Sequence, residues 1–392
     1  MREGWTYKKL GEVGVVVTGS TPSTKDEANY ASPDYCFVKP SDLPSEGIAV
    51  IDESEFHISS KAFSSARQLP KGSVVVSCIG IIGKVGILNK DACTNQQINA
   101  IIPNDTILPK CLAYIICNNK RELEQIANAP IVPIINKSEF SKFSIPVPPL
   151  SEQQSIVAEL DKINELISLK KAQLSDLDSL AQSIFYDMFG DPIVNEKGWE
   201  VKKLGDLCNK IGSGATPRGG NESYKNQGIS LIRSMNVYNN EFRCKDLAFI
   251  DEEQADALSN VVVFPQDILL NITGASVARC CIVPDDILPA RVNQHVCIIR
   301  PKSIADSIYL NYMLTNDSYQ NHLLSLARSK AATREALPKS IVEDLHIPLP
   351  PLPLQQEFAK RIELIEQQKA QISSTIKDLE TLLASRMQYW FD

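Results

Sequence analysis

Two stretches of the chain carry a seam of side chains at steps of three and four residues, apolar but for one lysine in each. The first runs Ile156, Leu160, Ile163, Ile167, Lys170, Leu174, Leu177, Ala181, Ile184 and Met188. The second runs Phe358, Ile362, Ile365, Lys369, Ile372, Ile376, Leu379, Leu383, Met387 and Trp390. Such spacing puts every member on one face of a helix, and a seam this long predicts a coiled coil. Ser151 is the expected N-cap of the first helix, with Gln154 completing a capping box. Pro148 and Pro149 prevent a helix upstream from running into it. The competing reading is two amphipathic helices lying on their own domains. If the helices instead pair with each other antiparallel, the chain termini come close together.

Ahead of each seam the pattern changes period. Val74-Val75-Val76-Ser77-Cys78-Ile79 and Ile268-Leu269-Leu270-Asn271-Ile272 are short β-like runs that follow turn signals. Gly80, Gly83 and Gly86 mark turns or a bulge rather than a phosphate-binding loop, because no long amphipathic helix follows them. Helical segments are expected near Pro109–Gln125 and Ile304–Ser325. These elements repeat. Trp5-Thr6-Tyr7-Lys8-Lys9-Leu10-Gly11-Glu12 returns as Trp199-Glu200-Val201-Lys202-Lys203-Leu204-Gly205-Asp206. Asn95-Gln96 returns as Asn293-Gln294, and Ile145-Pro146-Val147-Pro148-Pro149-Leu150 as Ile347-Pro348-Leu349-Pro350-Pro351-Leu352. One unit has been duplicated. The fold class expected is α+β: two duplicated β-rich α+β domains separated by two long antiparallel coiled-coil helices, in a pseudo-twofold arrangement. The boundaries are 1–150 for the first domain, 151–190 for the central helix, 191–350 for the second domain and 351–392 for the C-terminal helix.

Composition narrows the class. The 392 residues are 43% hydrophobic and 22% charged, ordinary for a globular chain. No apolar run reaches membrane-spanning length and the start lacks a signal-peptide core, so a cytoplasmic location is expected. The ten cysteines show no C-x-x-C spacing, and His57, His295, His322 and His346 are scattered, so no metal centre is expected. The net charge of −7 argues mildly against nucleic-acid binding. The acid excess is densest in residues 151–190, however, which leaves both domains nearly neutral and able to carry local basic patches.

Motifs of catalysis are missing. Pro148-Pro149 and Pro350-Pro351 are not the (Asp/Asn)-Pro-Pro-aromatic loop that an adenine methyltransferase needs. Gly212-Ser213-Gly214 is too short for a cofactor fingerprint, and Pro284-Asp285-Asp286 lacks the acid-x-Lys of a nuclease.

The Trp-x-x-Lys-Lys-Leu-Gly openings, the Ile-Pro-x-Pro-Pro-Leu stretches running into Gln153-Gln154 and Gln355-Gln356, and the Met188-Phe189-Gly190-Asp191-Pro192 join before Trp199 resemble the specificity (S) subunits of type I restriction–modification systems. The resemblance covers essentially the whole chain. It implies a non-catalytic subunit whose β-rich domains are target-recognition domains, each reading half of a bipartite, asymmetric site in double-stranded DNA. The helices would set the separation of the half-sites and dock two modification (methyltransferase) subunits. Restriction (endonuclease/translocase) subunits join through these. S-adenosylmethionine would be held by the methyltransferase partners, leaving this chain without a cofactor. A self-contained DNA-modifying enzyme and a coiled-coil interaction scaffold are the alternatives. Two departures stand out. Leu354-Gln355 replaces the first helix's Glu152-Gln153. The second domain's Ala332-Thr333-Arg334-Glu335 faces Pro133-Ile134-Ile135-Asn136-Lys137 in the first, so the halves are expected to meet DNA differently there.

Candidate contacts are polar residues in turns, since Arg and Lys suit guanine edges, Asn and Gln suit adenine, and hydroxyls hold phosphates. Matched between units are Thr21 and Thr216, Lys39 and Arg233, Ser41 beside Ser234, Asn236 opposite Asp42, Lys84 near Arg279, and Asn95-Gln96 with Asn293-Gln294. Unmatched are Lys25, Lys137, Arg218, Asn221, Tyr238, Ser276, Thr333 and Arg334. Residues that read different sequences should differ between halves, so Arg218, Arg279 and Arg334 are favoured for base reading. Trp5 and Trp199 are expected to be core anchors.

Overall fold

The computed structural model describes residues 2–127, 132–217, 219–329 and 335–391. It divides into two compact units, one comprising residues 1–171 with 374–392, the other residues 172–373. Each long helix therefore contributes one half to each unit.

The first unit opens with the strand Thr6–Lys9, which pairs antiparallel with Ser144–Val147, placing Tyr7 opposite Pro146 and Lys8 opposite Ile145. The second unit repeats this with Glu200–Lys203 against His346–Leu349. The two most visible repeated motifs are thus the two strands of one ribbon. Proline is tolerated there because a two-stranded ribbon has edges where a missing N–H costs no ladder bond. Leu10 and Leu204 follow the ribbon strands, fully buried, and donate their amides to Phe143 and Leu345.

Beyond the ribbon, the first unit holds a five-stranded sheet in the spatial order 14–18, 98–103, 74–77, 85–88, 48–51, and a three-stranded sheet in the order 57–58, 35–38, 92–94. The second unit holds two four-stranded sheets, ordered 208–213, 296–301, 268–271, 280–282 and 248–250, 229–232, 290–292, 262–263. The anticipated runs at Val74 and Ile268 lie inside these sheets, with Val74, Val75, Val76, Ile268, Leu269 and Leu270 fully buried. The expected helical segments form, each broken once: Pro109–Asn118 and Lys120–Ile126, then Ser307–Thr315 and Asp317–Ser329. Gly80 and Gly83 take positive φ, as turns require, whereas Gly86 lies within the strand Val85–Leu88. A side chain at Gly86 would strike Ile51 at 2.6 Å.

The central helix spans Leu150–Phe189 and the C-terminal helix Leu352–Phe391. The first starts one residue before Ser151, so Ser151 is not its cap and Gln154 closes no capping box. Gln153 does the tying instead. Fully buried, it accepts from the Leu108 amide at 2.8 Å and donates to the carbonyls of Thr106 and Pro148. Gln355 repeats this in the second unit, accepting from Asp306 N–H and donating to Pro350.

The helices pair antiparallel within each unit. In the first, Lys171 meets Glu380 at 2.9 Å while Glu159 meets Arg386 and Trp390. In the second, Asp178 meets Lys369 at 2.8 Å, and Phe185 and Phe189 pack on Phe358. The seam lysine Lys369 is therefore an interhelical ion-pair partner. Toward the end of the central helix the seam turns by one position. Phe185 and Phe189 are buried with Tyr309, and Ile184 and Met188 are only half-buried. Both readings of the helices hold in part, because Ile156 and Leu160 also join the core of the first unit together with Phe391. Arg2 donates to the Tyr389 carbonyl and stacks on Tyr389 and Trp390, joining the two ends of the chain within that unit.

Trp5 is buried and donates to Glu152 at 2.6 Å. Trp199 is only half-buried; its indole donates to the Phe189 carbonyl at 3.0 Å, clamping the join rather than anchoring a core. Among the described residues no helix is long and apolar enough to cross a membrane.

Candidate nucleic-acid interface

Most matched candidates turn out to be engaged by the fold. Asn95 is buried, its carbonyl oxygen accepting from the Gln97 amide, and Asn293 does the same for His295. Thr21 donates to Gln96 at 2.7 Å, and Thr216 donates to Gln294. These repeated hydroxyl–amide pairs occupy corresponding places in the two units, exposed at Thr21, Gln96 and Gln294 and half-buried at Thr216. Asn236 is fully buried, accepting from the Arg233 amide and donating to the carbonyls of Arg243 and Lys245. The Lys39 ammonium lies 3.0 Å from the Phe56 ring centroid. Arg233 donates to the Asp246 carbonyl and lies over Tyr224. Ser41, Lys25 and Lys137 are exposed. Arg218, Thr333 and Arg334 lie outside the described residues, as does the side chain of Asn221.

Two unmatched candidates of the second unit, Tyr238 and Ser276, come together with the matched Arg279 and Ser234. Val237–Tyr238 and Glu241–Phe242 form a small hairpin. Its turn residue Asn240 adopts φ 57°, a left-handed conformation that asparagine tolerates. Asn240 is held in place by donors from Asn311 and Thr315 at 2.7 and 3.0 Å. That fixes Tyr238 in a cavity of about 960 Å³ lined also by Ser234, Met235, Thr273, Gly274, Ala275, Ser276, Arg279, His295, Glu335 and Ala336. Two guanidinium groups lie over the Tyr238 ring, that of Arg243 at 3.7 Å and that of Arg279 at 4.5 Å from its centroid. Arg243 is spent in a bidentate pair with Glu241. Thr273 and His295 share a 2.6 Å hydrogen bond. The cavity's carboxylate, Glu335, is paired with Arg328 at 2.9 Å. Arg243, Thr273 and His295 were not singled out from the sequence, because they approach one another only when sheet and hairpin assemble.

The equivalent face of the first unit is built differently. Ile79 bridges Ile134 as Thr273 bridges Ala336, and Gln97 occupies the turn position of His295. Ile81, Val132 and Ile134 are large apolar side chains left exposed around it. The Lys84 ammonium is chelated by the carbonyls of Pro40 and Leu43, each at 3.0 Å.

One group of potential metal donors occurs among the described residues. Cys36 and His57 are opposed across an antiparallel pair, with Glu53 within 4.8 Å of both. The Lys90 ammonium already neutralises Glu53 at 2.5 Å and, with His57, holds its carboxyl below the usual range. The scattered histidines of the sequence did not foreshadow this cluster. Burial pushes the thiols of Cys78, Cys93, Cys111, Cys208, Cys281 and Cys297 up to about 12, which suits inert core residues rather than nucleophiles.

Comparison with known proteins agrees with this architecture. The profile of the type I restriction modification DNA specificity domain matches residues 2–178 and again 196–381. The MjaIX specificity subunit of a type I restriction enzyme from Methanocaldococcus jannaschii is 30% identical over 376 residues, covering 90% of this chain and 85% of that one. The EcoR124I/EcoR124II specificity subunit from Escherichia coli is 32% identical over 169 residues, 41% of each chain. Among solved structures, the S subunit of a type I system from M. genitalium superposes with TM-score 0.57 at 14% identity, covering 99% of this chain and 96% of that one. A chain from a structure concerned with complex assembly and conformational transition of the type I R-M system gives TM-score 0.60 at 19% identity, covering 99% and 97%. At those identities the structures speak to the fold, whereas the twice-matching profile and the archaeal relative speak to the family. The chain belongs to the specificity subunits of type I restriction–modification systems, a family that recognises DNA sequence.

Proposed function

We propose that this chain is the non-catalytic reader of a type I complex, in which each unit recognises one half of a bipartite, asymmetric site in double-stranded DNA. The observation that carries the reading is the pair of equivalent faces. One scaffold built twice presents Thr273, His295, Tyr238 and Arg279 in the second unit, and Ile79, Gln97, Ile81 and a tethered Lys84 in the first. Equal scaffolds with unequal faces suit two half-sites of different sequence, because base edges are distinguished by the donors, acceptors and apolar atoms that meet them.

Two methyltransferase subunits would dock on the helices and carry S-adenosylmethionine and the chemistry, with endonuclease/translocase subunits joining through them. Apolar side chains left exposed on both helices support this. Leu166, Leu169 and Leu382 occur in the first unit, and Leu180, Tyr186 and Leu364 in the second. Apolar surface of this kind along the helix pair is what a docking partner would cover. Near-neutral domains imply that the partners supply much of the phosphate contact. A map of methylated adenines in DNA from cells carrying the assembled complex tests the reading. It should show one motif of two unlike halves around a fixed unread gap. A contiguous motif, or a palindrome, would contradict it, and methyl transfer by the purified chain alone would make it an enzyme in its own right.

A further inference from the structure

We infer that the cavity of the second unit takes a guanine of the second half-site, read through its O6 and N7 by Arg279; this rests on the reading of the chain as a two-part DNA reader. The argument begins with what the corresponding lysine does in the first unit. Lys84 follows the strand Val74–Ser77, and its ammonium is consumed by the carbonyls of Pro40 and Leu43, at the end of the 39–43 turn. Arg279 holds the matching place after the strand Ile268–Asn271. Here the corresponding carbonyls, those of Ser234 and Val237, are taken by another residue: the fully buried Asn271 amide donates to them at 2.9 and 3.4 Å. Asn271 stands where the first unit has Ser77, whose hydroxyl is too short to reach that turn and instead donates to Ile81. One exchange, serine for asparagine, relieves the cation of its structural duty.

What Arg279 does with that freedom is also visible. Among the described residues no carboxylate or carbonyl accepts from its guanidinium. The group lies over Tyr238 at 4.5 Å, a contact that holds the guanidinium without using its donors. The neighbouring Arg243 is locked to Glu241, and Glu335, the carboxylate among the described residues of the cavity, is held by Arg328, so among the described residues no free anion in the site competes for Arg279. An arginine fork held over a ring with its donors unspent, in a cavity also lined by Ser276 and Thr273, matches the two acceptors that guanine presents in the major groove. Adenine offers one acceptor beside a donor there, and the pyrimidines offer no such pair.

The test uses the full chain assembled with its modification subunits, on duplexes carrying the methylated motif. Each guanine of the second half-site is replaced in turn by 7-deazaguanine, which removes N7 and leaves the protein untouched. One replacement should weaken binding roughly 10- to 100-fold. Arg279→Gln should weaken the natural duplex by a similar factor, lose its preference for guanine at that position only, and show little further loss on the 7-deaza duplex. Arg279→Lys, which keeps charge and bulk, should fold and bind but discriminate poorly. The assignment is overturned if no guanine in that half responds. It is equally overturned if Arg279→Gln weakens every duplex alike and reduces the salt dependence by about one phosphate's worth, the behaviour of a backbone contact. A complex that methylates no two-part motif would bring down the broader reading instead, whereas a two-part motif indifferent to Arg279 defeats the guanine assignment alone.

Discussion

Gln153 and Gln355 show how much a repeated residue can owe to structure. Each closes the start of a long helix onto its own domain by satisfying backbone groups that burial has cut off from water. Leaving such groups unpaired costs on the order of 1–3 kcal/mol each. Gln153→Ala and Gln355→Ala should therefore each lower stability by about 2 kcal/mol or more, measured by urea unfolding, while Gln154→Ala, at an exposed position, should leave it nearly unchanged. The sequence displayed the Gln-Gln pairs but not which member mattered, because the helix start shifts by one residue and moves the inward side chain with it. The same holds for the interface residues. Repetition marked Asn95, Asn293 and Asn236 in the chain, and the structure uses all three to hold turns. The unmatched Tyr238 and Ser276 meet in a cavity with Arg279, whose counterpart in the first unit is a lysine. Cysteine chemistry gives a second expectation at this scale. Cys244 is exposed, whereas burial raises the thiols of Cys208, Cys281 and Cys297 in the same unit. Alkylation of the native chain near pH 8 should mark Cys244 first and reach those three only on unfolding; equal rates would mean that the second unit's sheets are not closed.

At the scale of elements, the long helices were the most legible feature, since a three-and-four spacing sustained over many turns lines up one face of a helix and of nothing else. Their pairing partners were readable too, but not the turn of the seam at Phe185. Aromatic rings from Tyr309 and Phe358 draw Phe185 and Phe189 inward, a tertiary demand that local spacing does not record. Phe185→Ala should cost about 3–5 kcal/mol by opening a cavity in that cluster, and Ile184→Ala clearly less. Thermal unfolding of the two variants checks this, and a reversed order would restore the simple seam. The first unit's helix pair is fastened by Glu159. The Arg386 guanidinium and then the Trp390 indole hold its carboxyl below the usual range. A carboxyl so depressed adds stability that is fully present above its unfolded value, near 4.3, and is lost as pH falls through the lower folded one. The pair is partly solvated, so Glu159→Gln should cost at most about 1 kcal/mol at neutral pH. The gap from the parent chain should narrow as the pH is taken down through and below the ordinary glutamate range. A gap that widens in acid would refute the ion pair as its source. The strands were less legible than the helices. Runs such as Val74–Ser77 were visible as apolar segments, but the partnership of each opening strand with the Ile-Pro strand more than a hundred residues later was not, because register across such a separation leaves no local trace.

For the whole molecule, duplication and family were both readable in the order of short motifs, and the profile matching twice agrees with them. What the sequence could not display is that most of those motifs build the ribbon and helix start of each unit, so the residues that announce the family are not those expected to distinguish one target from another. This division of labour predicts that the lone chain binds DNA weakly, since its net charge is −7 and its domains are nearly neutral in sequence. Filter binding at fixed salt should show tight, specific retention only after the modification subunits are added. The most direct measurement exchanges residues 1–150 for the same segment of another family member and maps methylated adenines in DNA from cells carrying the chimera with its partners. One half of the motif should change while the other half stays as it was. A motif altered in both halves, or in neither, would contradict the account.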